Sequence, residues 1–181
     1  FVHRPASTKY VLGIFQGPSA SDATEPAFRL ATALLSGRMH QTVREERGLS
    51  YAAYAPYYDR GVTAAGLYMS TTAPGTALGV VRTQVDSVRR EPMLLGQMGF
   101  FTQQFVTQYI ADNMTSSSQA EALARAALYL GDYRQAGQAM EALRHVSAGQ
   151  VRGAAVRYLR HARFVYVGDT TRVTREAFAN F

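Results

Sequence analysis

The period of the hydrophobic pattern changes along this chain in an order that few architectures accommodate. Residues 8–16 (TKYVLGIFQ) are β-branched and aromatic and lead into a loop, so they predict a strand. Residues 51–71 predict a two-stranded hairpin that turns at Asp59-Arg60-Gly61. Residues 164–169 predict a short buried strand. With helical patterns in between, this order indicates an α+β fold whose helices pack on one face of a mostly antiparallel sheet.

The segments between the predicted strands have apolar residues at helical spacing. Residues 25–48 (EPAFRLATALLSGRMHQTVREERG) predict two helical pieces, broken or kinked at Ser36-Gly37. Further helices are expected over residues 116–130 and 133–146, and from an N-cap at Ser147 to Arg160. Two apolar stripes predict the helices after Pro74: Leu78, Val81, Val85 and Val88 for the first, and Leu94 or Leu95, Met98, Phe101, Phe105 and Tyr109 for a longer second one.

Composition bounds what kind of protein this is. At 181 residues, with 47% hydrophobic and 18% charged residues, the chain has the size and make-up of one globular domain, and no linker or repeat divides residues 1–181. It contains no Cys, which excludes disulfides and thiolate chemistry. No apolar run reaches the 18 or more residues that span a bilayer, so we expect a soluble chain, bacterial periplasmic or cytoplasmic. Because it begins at Phe1, we expect it to be processed or excised from a longer parent chain.

The net charge of +6 raises the possibility of nucleic-acid binding. Most of the basic residues are spread along the chain, but four Arg residues of the last predicted helix and its end lie near one another: Arg152, Arg157, Arg160 and Arg163. No aromatic residues interleave with them for base stacking, so we interpret them as a solvated face, with Val151, Ala155 and Leu159 turned to the core. No nucleic-acid partner is expected.

Motifs for metal binding, nucleophilic catalysis and phosphate binding are absent from the sequence. None of the four His residues belongs to an H-E-x-x-H or H-x-x-E-H pattern, and there is no G-x-S-x-G, P-loop or G-x-G-x-x-G. We therefore expect no metal or cofactor to be bound by this chain alone.

The densest charged stretch is VREERGLSY, residues 43–51. We expect Gly48 to end the helix, and the charges of Glu45, Glu46 and Arg47 to be exposed. The turn at Gly48 could bring Arg44 and Tyr51 together at one end of the sheet. Arg offers a planar set of donors to carbonyl oxygens, and Tyr offers a neutral donor to a developing oxyanion. The alternative is that Tyr51 is a core aromatic whose hydroxyl is satisfied inside the fold.

The segment GRMHQTVREERGLSYAAYAPYYDRG resembles the second-domain signature of the pitrilysin/insulinase family of zinc peptidases, which includes the mitochondrial processing peptidases and their bacterial relatives. In that family a helix ends in an Arg-Glu-x-x-Gly-Leu-x-Tyr run before a hairpin. The similarity extends over nearly the whole chain, through Arg4-Pro5, Leu34-Leu35-Ser36-Gly37, Ala73-Pro74, Val146-Ser147 and the run from Val165 to Asp169. One departure is the length of the Ser36-Gly37 segment, where relatives usually have a longer loop rich in glycine and serine.

This resemblance implies an architecture and a division of roles. Such peptidases consist of tandem α+β domains, or paired subunits, that enclose a chamber. The first domain or partner carries the zinc, and the second contributes an Arg and a Tyr, which match Arg44 and Tyr51 here. The resemblance implies that Arg44 binds a backbone carbonyl of a peptide substrate and that Tyr51 stabilises the tetrahedral intermediate. The chain alone would be inactive.

Three functions remain open from the sequence. The first is the substrate-binding half of a zinc peptidase, working as one of two tandem domains or in a homo- or heterodimer. The second is a scaffold or assembly subunit of the same family whose parent has lost its zinc motif. The third, which we favour least, is a basic nucleic-acid-binding module.

Overall fold

The computed structural model describes residues 1–138 and 140–181, and their strands form one sheet. The strands are β1 (Val2–His3), β2 (Lys9–Ser19), β3 (Ser50–Tyr54), β4 (Tyr57–Tyr58), β5 (Val62–Thr71) and β6 (Arg163–Gly168). Their spatial order is β1-β6-β2-β5-β3, with β4 also paired to β5. Only the β1–β6 pair among these strands is parallel, so the predicted mostly antiparallel sheet is confirmed.

Helices occupy the segments between the strands. They are α1 (Glu25–Met39), α2 (Pro74–Arg90), α3 (Leu95–Asp112), α4 (Ser116–Leu130), α5 (Gln138–Arg144) and α6 (Ala148–Tyr158). A π-helical segment, His40–Glu45, follows α1, and a 3₁₀ segment, Tyr133–Gly137, precedes α5. Ser147 caps α6 as predicted, because its side chain accepts a hydrogen bond from the backbone N–H of Gln150.

The core lies between one face of the sheet and three of the helices. Val11 and Phe15 of β2 and Leu67 and Met69 of β5 are fully buried, at alternate positions that face the same side. Stripes from the helices cover them, including Leu34 and Leu35 of α1, Val81 and Val85 of α2, and Val151 and Ala155 of α6. The opposite face of the sheet carries exposed or half-exposed Tyr10, Tyr54, Tyr68 and Val165. The predicted α+β layering is therefore confirmed.

The predicted break at Ser36-Gly37 is wrong. Helix α1 runs through both residues, and the helix changes only at His40, where it becomes π-helical. The two residues are small because of what packs on them. The Ser36 hydroxyl oxygen accepts a hydrogen bond from the backbone N–H of Ala55 at 3.1 Å, and a Cβ on Gly37 would lie 3.2 Å from the Phe101 ring.

Several smaller predictions also need correction. Leu94 and Leu95 are exposed and do not extend the apolar stripe of α3, whereas Met98, Phe101 and Phe105 pack against the core. The segment 133–146 is a 3₁₀ turn followed by a short helix, and α6 ends at Tyr158 instead of Arg160. Strand β6 is buried on one face only, because Val165 remains 53% exposed on the other.

Candidate functional site

The helix that carries Arg44 ends in an unusual way. In the π-helical segment His40–Glu45, hydrogen bonds span five residues, and the N–H of Glu46 still donates to the carbonyl of Gln41 at 2.9 Å. Such π-helical turns often mark functional positions. Gly48 then adopts φ +58°, the left-handed conformation predicted for the helix end. The N–H of Leu49 donates to the carbonyl of Val43 at 2.9 Å, which fixes the path of the chain into β3.

Tyr51 lies in a β-bulge at the start of β3. Ser50 pairs with Thr71 and Ala52 with Ser70, so Tyr51 has no partner residue on β5. Two side chains hold the bulge. The Ser50 hydroxyl donates to the carbonyl of Ser70 at 2.8 Å, and the Thr71 hydroxyl donates to the carbonyl of Leu49 at 2.6 Å. The backbone on both sides of Tyr51 is therefore fixed while its side chain projects from the strand.

The structure brings Arg44 and Tyr51 together. The guanidinium carbon of Arg44 lies 4.8 Å from the centroid of the Tyr51 ring, which is within the range of a cation–π contact. Tyr51 is 82% exposed, so the alternative in which it is a buried core aromatic is wrong. Stacking aligns the two exposed side chains beside each other, so that their donor groups can reach a third molecule.

The two glutamates next to this pair contact side chains other than Arg44. The Nε2 of His40 lies 3.2 Å from a Glu45 carboxylate oxygen, and the Gln41 side-chain amide donates to Glu46 at 2.9 Å. Both Glu45 and Glu46 are exposed, as is Arg47, in agreement with their prediction as solvated charges. The carboxylates nearest in sequence to Arg44 thus have other partners, and its guanidinium remains available.

Arg44 and Tyr51 supply hydrogen-bond donors and no metal ligand. Among the described residues, no group of three or more His, Asp or Glu side chains is placed to hold a metal ion. What the pair can do is bind a carbonyl oxygen and stabilise negative charge that develops on it.

A second polar cluster, which the sequence analysis missed, lies at the other end of α1. Glu25 is 6% exposed, and its Oε1 accepts from the Tyr57 hydroxyl at 2.5 Å and from Nε of Arg29 at 2.9 Å. Arg29 also donates to Asp59 at 3.0 Å and lies over the Tyr57 ring at 4.5 Å. The four-residue spacing of Glu25 and Arg29 was the one available sequence signal, and it is common on exposed helices.

The electrostatics of this cluster favour its present protonation state. Burial raises the pKa of Tyr57, and the adjacent Glu25 carboxylate raises it further, so the hydroxyl remains a donor. Burial alone would lower the pKa of Arg29, but Glu25, Tyr57 and Asp59 outweigh it and the pKa is raised. The cluster is therefore a largely buried ion network in which one guanidinium group lies between two carboxylates.

The four arginines at the end of the chain form no comparable site. Arg152, Arg157, Arg160 and Arg163 are all exposed, while Val151, Ala155 and Leu159 are buried, as predicted. Arg157 lies over the ring of Tyr158, its own neighbour in sequence, at 5.0 Å.

The fold is shared with solved domains of peptidases. The inactive peptidase domain of a candidate zinc protease from Bordetella parapertussis superimposes with a TM-score of 0.79 at 18% identity, over 90% of this chain and 93% of that one. The peptidase M16 inactive domain from Pseudomonas fluorescens gives 0.78 at 18% identity, over 93% of this chain and 43% of that one. Complex III2 from Candida albicans, with Inz-5 bound, contains a chain that gives 0.75 at 12% identity, over 92% and 44%.

These likenesses confirm the expected resemblance at the level of the fold, which this chain shares with inactive peptidase domains. This chain spans nearly all of the Bordetella domain but less than half of the Pseudomonas and Candida chains. No family model and no curated protein matches the sequence. Among the described helices, none combines the length and apolarity needed to cross a membrane.

Proposed function

We propose that this chain is the non-metal half of a zinc peptidase of the pitrilysin type, and that Arg44 and Tyr51 are its contribution to the active site. The observation that carries the proposal is the stacked, exposed donor pair, held by a π-helical turn and a β-bulge at one end of the sheet. Support also comes from the fold, which inactive peptidase domains share, and from the Arg-Glu-x-x-Gly-Leu-x-Tyr run that spans the pair.

In this function the two side chains act on the same bound peptide. The Arg44 guanidinium binds a backbone carbonyl of an extended peptide, for which its planar set of donors is suited. The Tyr51 hydroxyl donates to the oxygen of the scissile carbonyl as it becomes an oxyanion. The rigid backbone around Tyr51 matters because a donor that is already oriented needs no reorganisation when the charge develops.

The zinc would be held by another domain of the same parent chain or by a partner subunit. When bound there, it would supply the activated water. The residues described here do not offer a metal site, and the half-exposed face of the sheet, with Tyr54 and Tyr68 stacked at 5.1 Å, would form a wall of the shared chamber. On its own, the chain should cleave no peptide.

The test pairs this chain with its zinc-bearing domain or subunit and measures peptide hydrolysis. Tyr51→Phe should lower kcat about 100- to 1,000-fold, the usual cost of losing one oxyanion donor, with little change in KM. Tyr133→Phe is the matched control, because Tyr133 is also exposed but lies in the 3₁₀ segment before α5, outside the sheet, and the change should leave kcat unchanged. Equal turnover by Tyr51→Phe and the unmodified chain would contradict the role of Tyr51.

The role of Arg44 is tested separately. Arg44→Lys keeps the charge but loses the planar fork of donors, so we expect a rise in KM of about tenfold. Arg47→Lys is the control, since Arg47 is exposed three residues away in the same charged run. A rise in KM of the same size in both variants would assign the effect to general charge and not to carbonyl binding by Arg44.

A scaffold or assembly subunit of the same family is the second candidate. One observation favours it: the same fold occurs in a chain of complex III2 from Candida albicans, at a TM-score of 0.75. The two functions differ in the partner, because a scaffold needs no zinc site there. A stable assembly whose partner lacks an H-x-x-E-H or H-E-x-x-H motif, and which hydrolyses no peptide, would establish the scaffold and overturn the peptidase.

A further inference from the structure

A cavity of about 440 Å³ lies at the opposite end of α1 from Arg44. Its walls are the first turns of α1, the C-terminal half of α3, helix α4 and the 3₁₀ segment before α5. This volume is within the range of small-molecule binding sites. The proposed peptidase function makes no use of the cavity, and the inference below does not depend on that function.

The most buried charged group in the wall is Glu25, whose side chain is only 8% exposed. All the hydrogen bonds that it accepts from the described residues go to Oε1, from the Tyr57 hydroxyl and from Arg29. Its Oε2 accepts none from the part of the chain that the structure describes. Oε2 is not a buried atom left without a partner, so solvent reaches it, and a molecule in the cavity could take the place of that water.

The charge of the wall is opposite to that of the whole chain. Four carboxylates and two guanidinium groups line the cavity, which gives it a net charge of −2 in a chain of net +6. Both guanidinium groups are already paired, Arg29 with Glu25 and Asp59, and Arg125 with Glu121 at 3.0 Å. Asp112 accepts only from the neutral side-chain amide of Gln108 among the described residues. The cavity therefore has uncompensated negative charge.

Aromatic rings complete the wall. Phe105, Tyr109 and Tyr129 all line the cavity, and the Tyr109 hydroxyl donates to the carbonyl of Ala136, also a residue of the wall, at 3.2 Å. Carboxylates together with aromatic rings are the combination that recognises organic cations, since a ring face attracts positive charge and a carboxylate accepts its N–H groups. The carboxylates do not form a group that could hold a metal ion in the described structure.

We propose that this cavity binds an organic cation, a primary ammonium or guanidinium group on an apolar stem, with its N–H groups directed to Glu25 Oε2 and Asp112 and its stem against the rings of Tyr109 and Tyr129. The cation has two possible sources, a free amine or the side chain of a Lys or Arg residue in a polypeptide. Both present the same chemistry to the cavity.

The experiment titrates the 181-residue chain with n-butylammonium and n-butylguanidinium, using 1-butanol as the neutral control. Binding is followed by calorimetry and by amide chemical shifts. Acetyl-Gly-Lys-Gly-amide and its norleucine analogue distinguish a side chain from a free amine. We expect the cations to bind at least about tenfold more tightly than butanol, and to shift the amides of Tyr109, Asn113 and Gln135, which line the cavity.

Two variants locate the binding. Glu25→Gln and Asp112→Asn should each weaken cation binding about tenfold, as expected from the loss of one charge-assisted hydrogen bond. Asp112→Asn is included because Asp112 is exposed, so this variant should fold even if Glu25→Gln does not. Glu176→Gln removes the same charge at an exposed site outside the cavity and should bind like the unmodified chain. Equal binding of butanol and the cations, or unchanged binding in Asp112→Asn, would overturn the proposal.

Discussion

The charged side chains at the two ends of α1 differ in burial and in pairing. At its start, Glu25 and Arg29 are almost buried; Glu25 accepts through Oε1 from Arg29 and Tyr57, and Arg29 also pairs with Asp59. At the end of its π-helical extension, Arg44 is exposed and its guanidinium stacks on the ring of Tyr51. One helix thus carries a locked ion network and an available donor, about twenty residues apart.

Because of this difference, we expect the buried charges to contribute mainly to stability and the exposed charge mainly to binding. A buried ion pair is expensive to break, because removing one member leaves the other uncompensated. An exposed charge contributes little to stability and can be reoriented by a ligand. Substitutions at the N-terminal end of α1 should therefore lower the free energy of unfolding of the protein. Substitutions near Arg44 should mainly affect function.

The largest expected effect is at Glu25. Glu25→Ala leaves the buried Arg29 guanidinium with only Asp59 and removes the acceptor of the Tyr57 hydroxyl, so the free energy of unfolding should fall by about 3–5 kcal/mol. Denaturant unfolding measures this. Glu45→Ala, the matched control near the other end, should change it by less than about 0.5 kcal/mol, since Glu45 is exposed. A loss below about 1 kcal/mol at Glu25 would remove the contrast between the two ends.

Gly48 should show the next largest effect. Its φ of +58° is unfavourable for any residue with a Cβ, so Gly48→Ala should lower the free energy of unfolding by about 1–2 kcal/mol. A Cβ there would meet nothing within 4 Å, so the cost is one of backbone conformation and not of packing. Gly99→Ala is the control. Gly99 lies within α3, also in open space, and the substitution should stabilise by about 0.5–1 kcal/mol.

The sequence was sufficient to predict much of this architecture, and the reasons lie in particular residues. Residues 8–16 form most of strand β2, as their β-branched and aromatic composition predicted, and the stripe from Leu78 to Val88 has one clear period and is buried. Gly48 could be placed because a helix end often requires a left-handed residue. Arg44 and Tyr51 could be paired as a hypothesis because a tight turn separates them, whereas their stacking needed coordinates.

What the sequence did not predict depends on contacts between distant segments. Ser36-Gly37 suggested a helix break, but Ser36 accepts a hydrogen bond from the Ala55 amide and Gly37 packs against the Phe101 ring. No local sequence pattern reveals these two contacts. The Glu25 network draws Tyr57 and Asp59 from the hairpin, more than thirty residues away in sequence. A cavity between helices likewise has no signature in a single segment.

Tyr57 should give a smaller effect that depends on pH. Burial and the Glu25 charge raise the pKa of Tyr57 in the folded chain, so above about pH 10 the unfolded chain loses this proton first. The folded state then binds more protons than the unfolded state, and stability falls as pH rises, by up to about 1.4 kcal/mol per pH unit. Tyr57→Phe should cost about 1 kcal/mol at pH 7 and remove this part of the alkaline decline. Parallel curves for both proteins between pH 9 and 11 would contradict the network.

The smallest expected effect is at Arg44. A cation–π contact at an exposed site contributes about 0.5–1 kcal/mol, and part of that is recovered when solvent replaces it, so Arg44→Ala should lower the free energy of unfolding by no more than about 0.5–1 kcal/mol. Arg47→Ala is the control, and the difference between the two variants isolates the stacking on Tyr51. Arg29→Ala, at the opposite end, should cost several times more, because Glu25 would be left buried without its cation. A loss above about 2 kcal/mol for Arg44→Ala would mean that the fold depends on this side chain, and that it is not free to bind a substrate carbonyl.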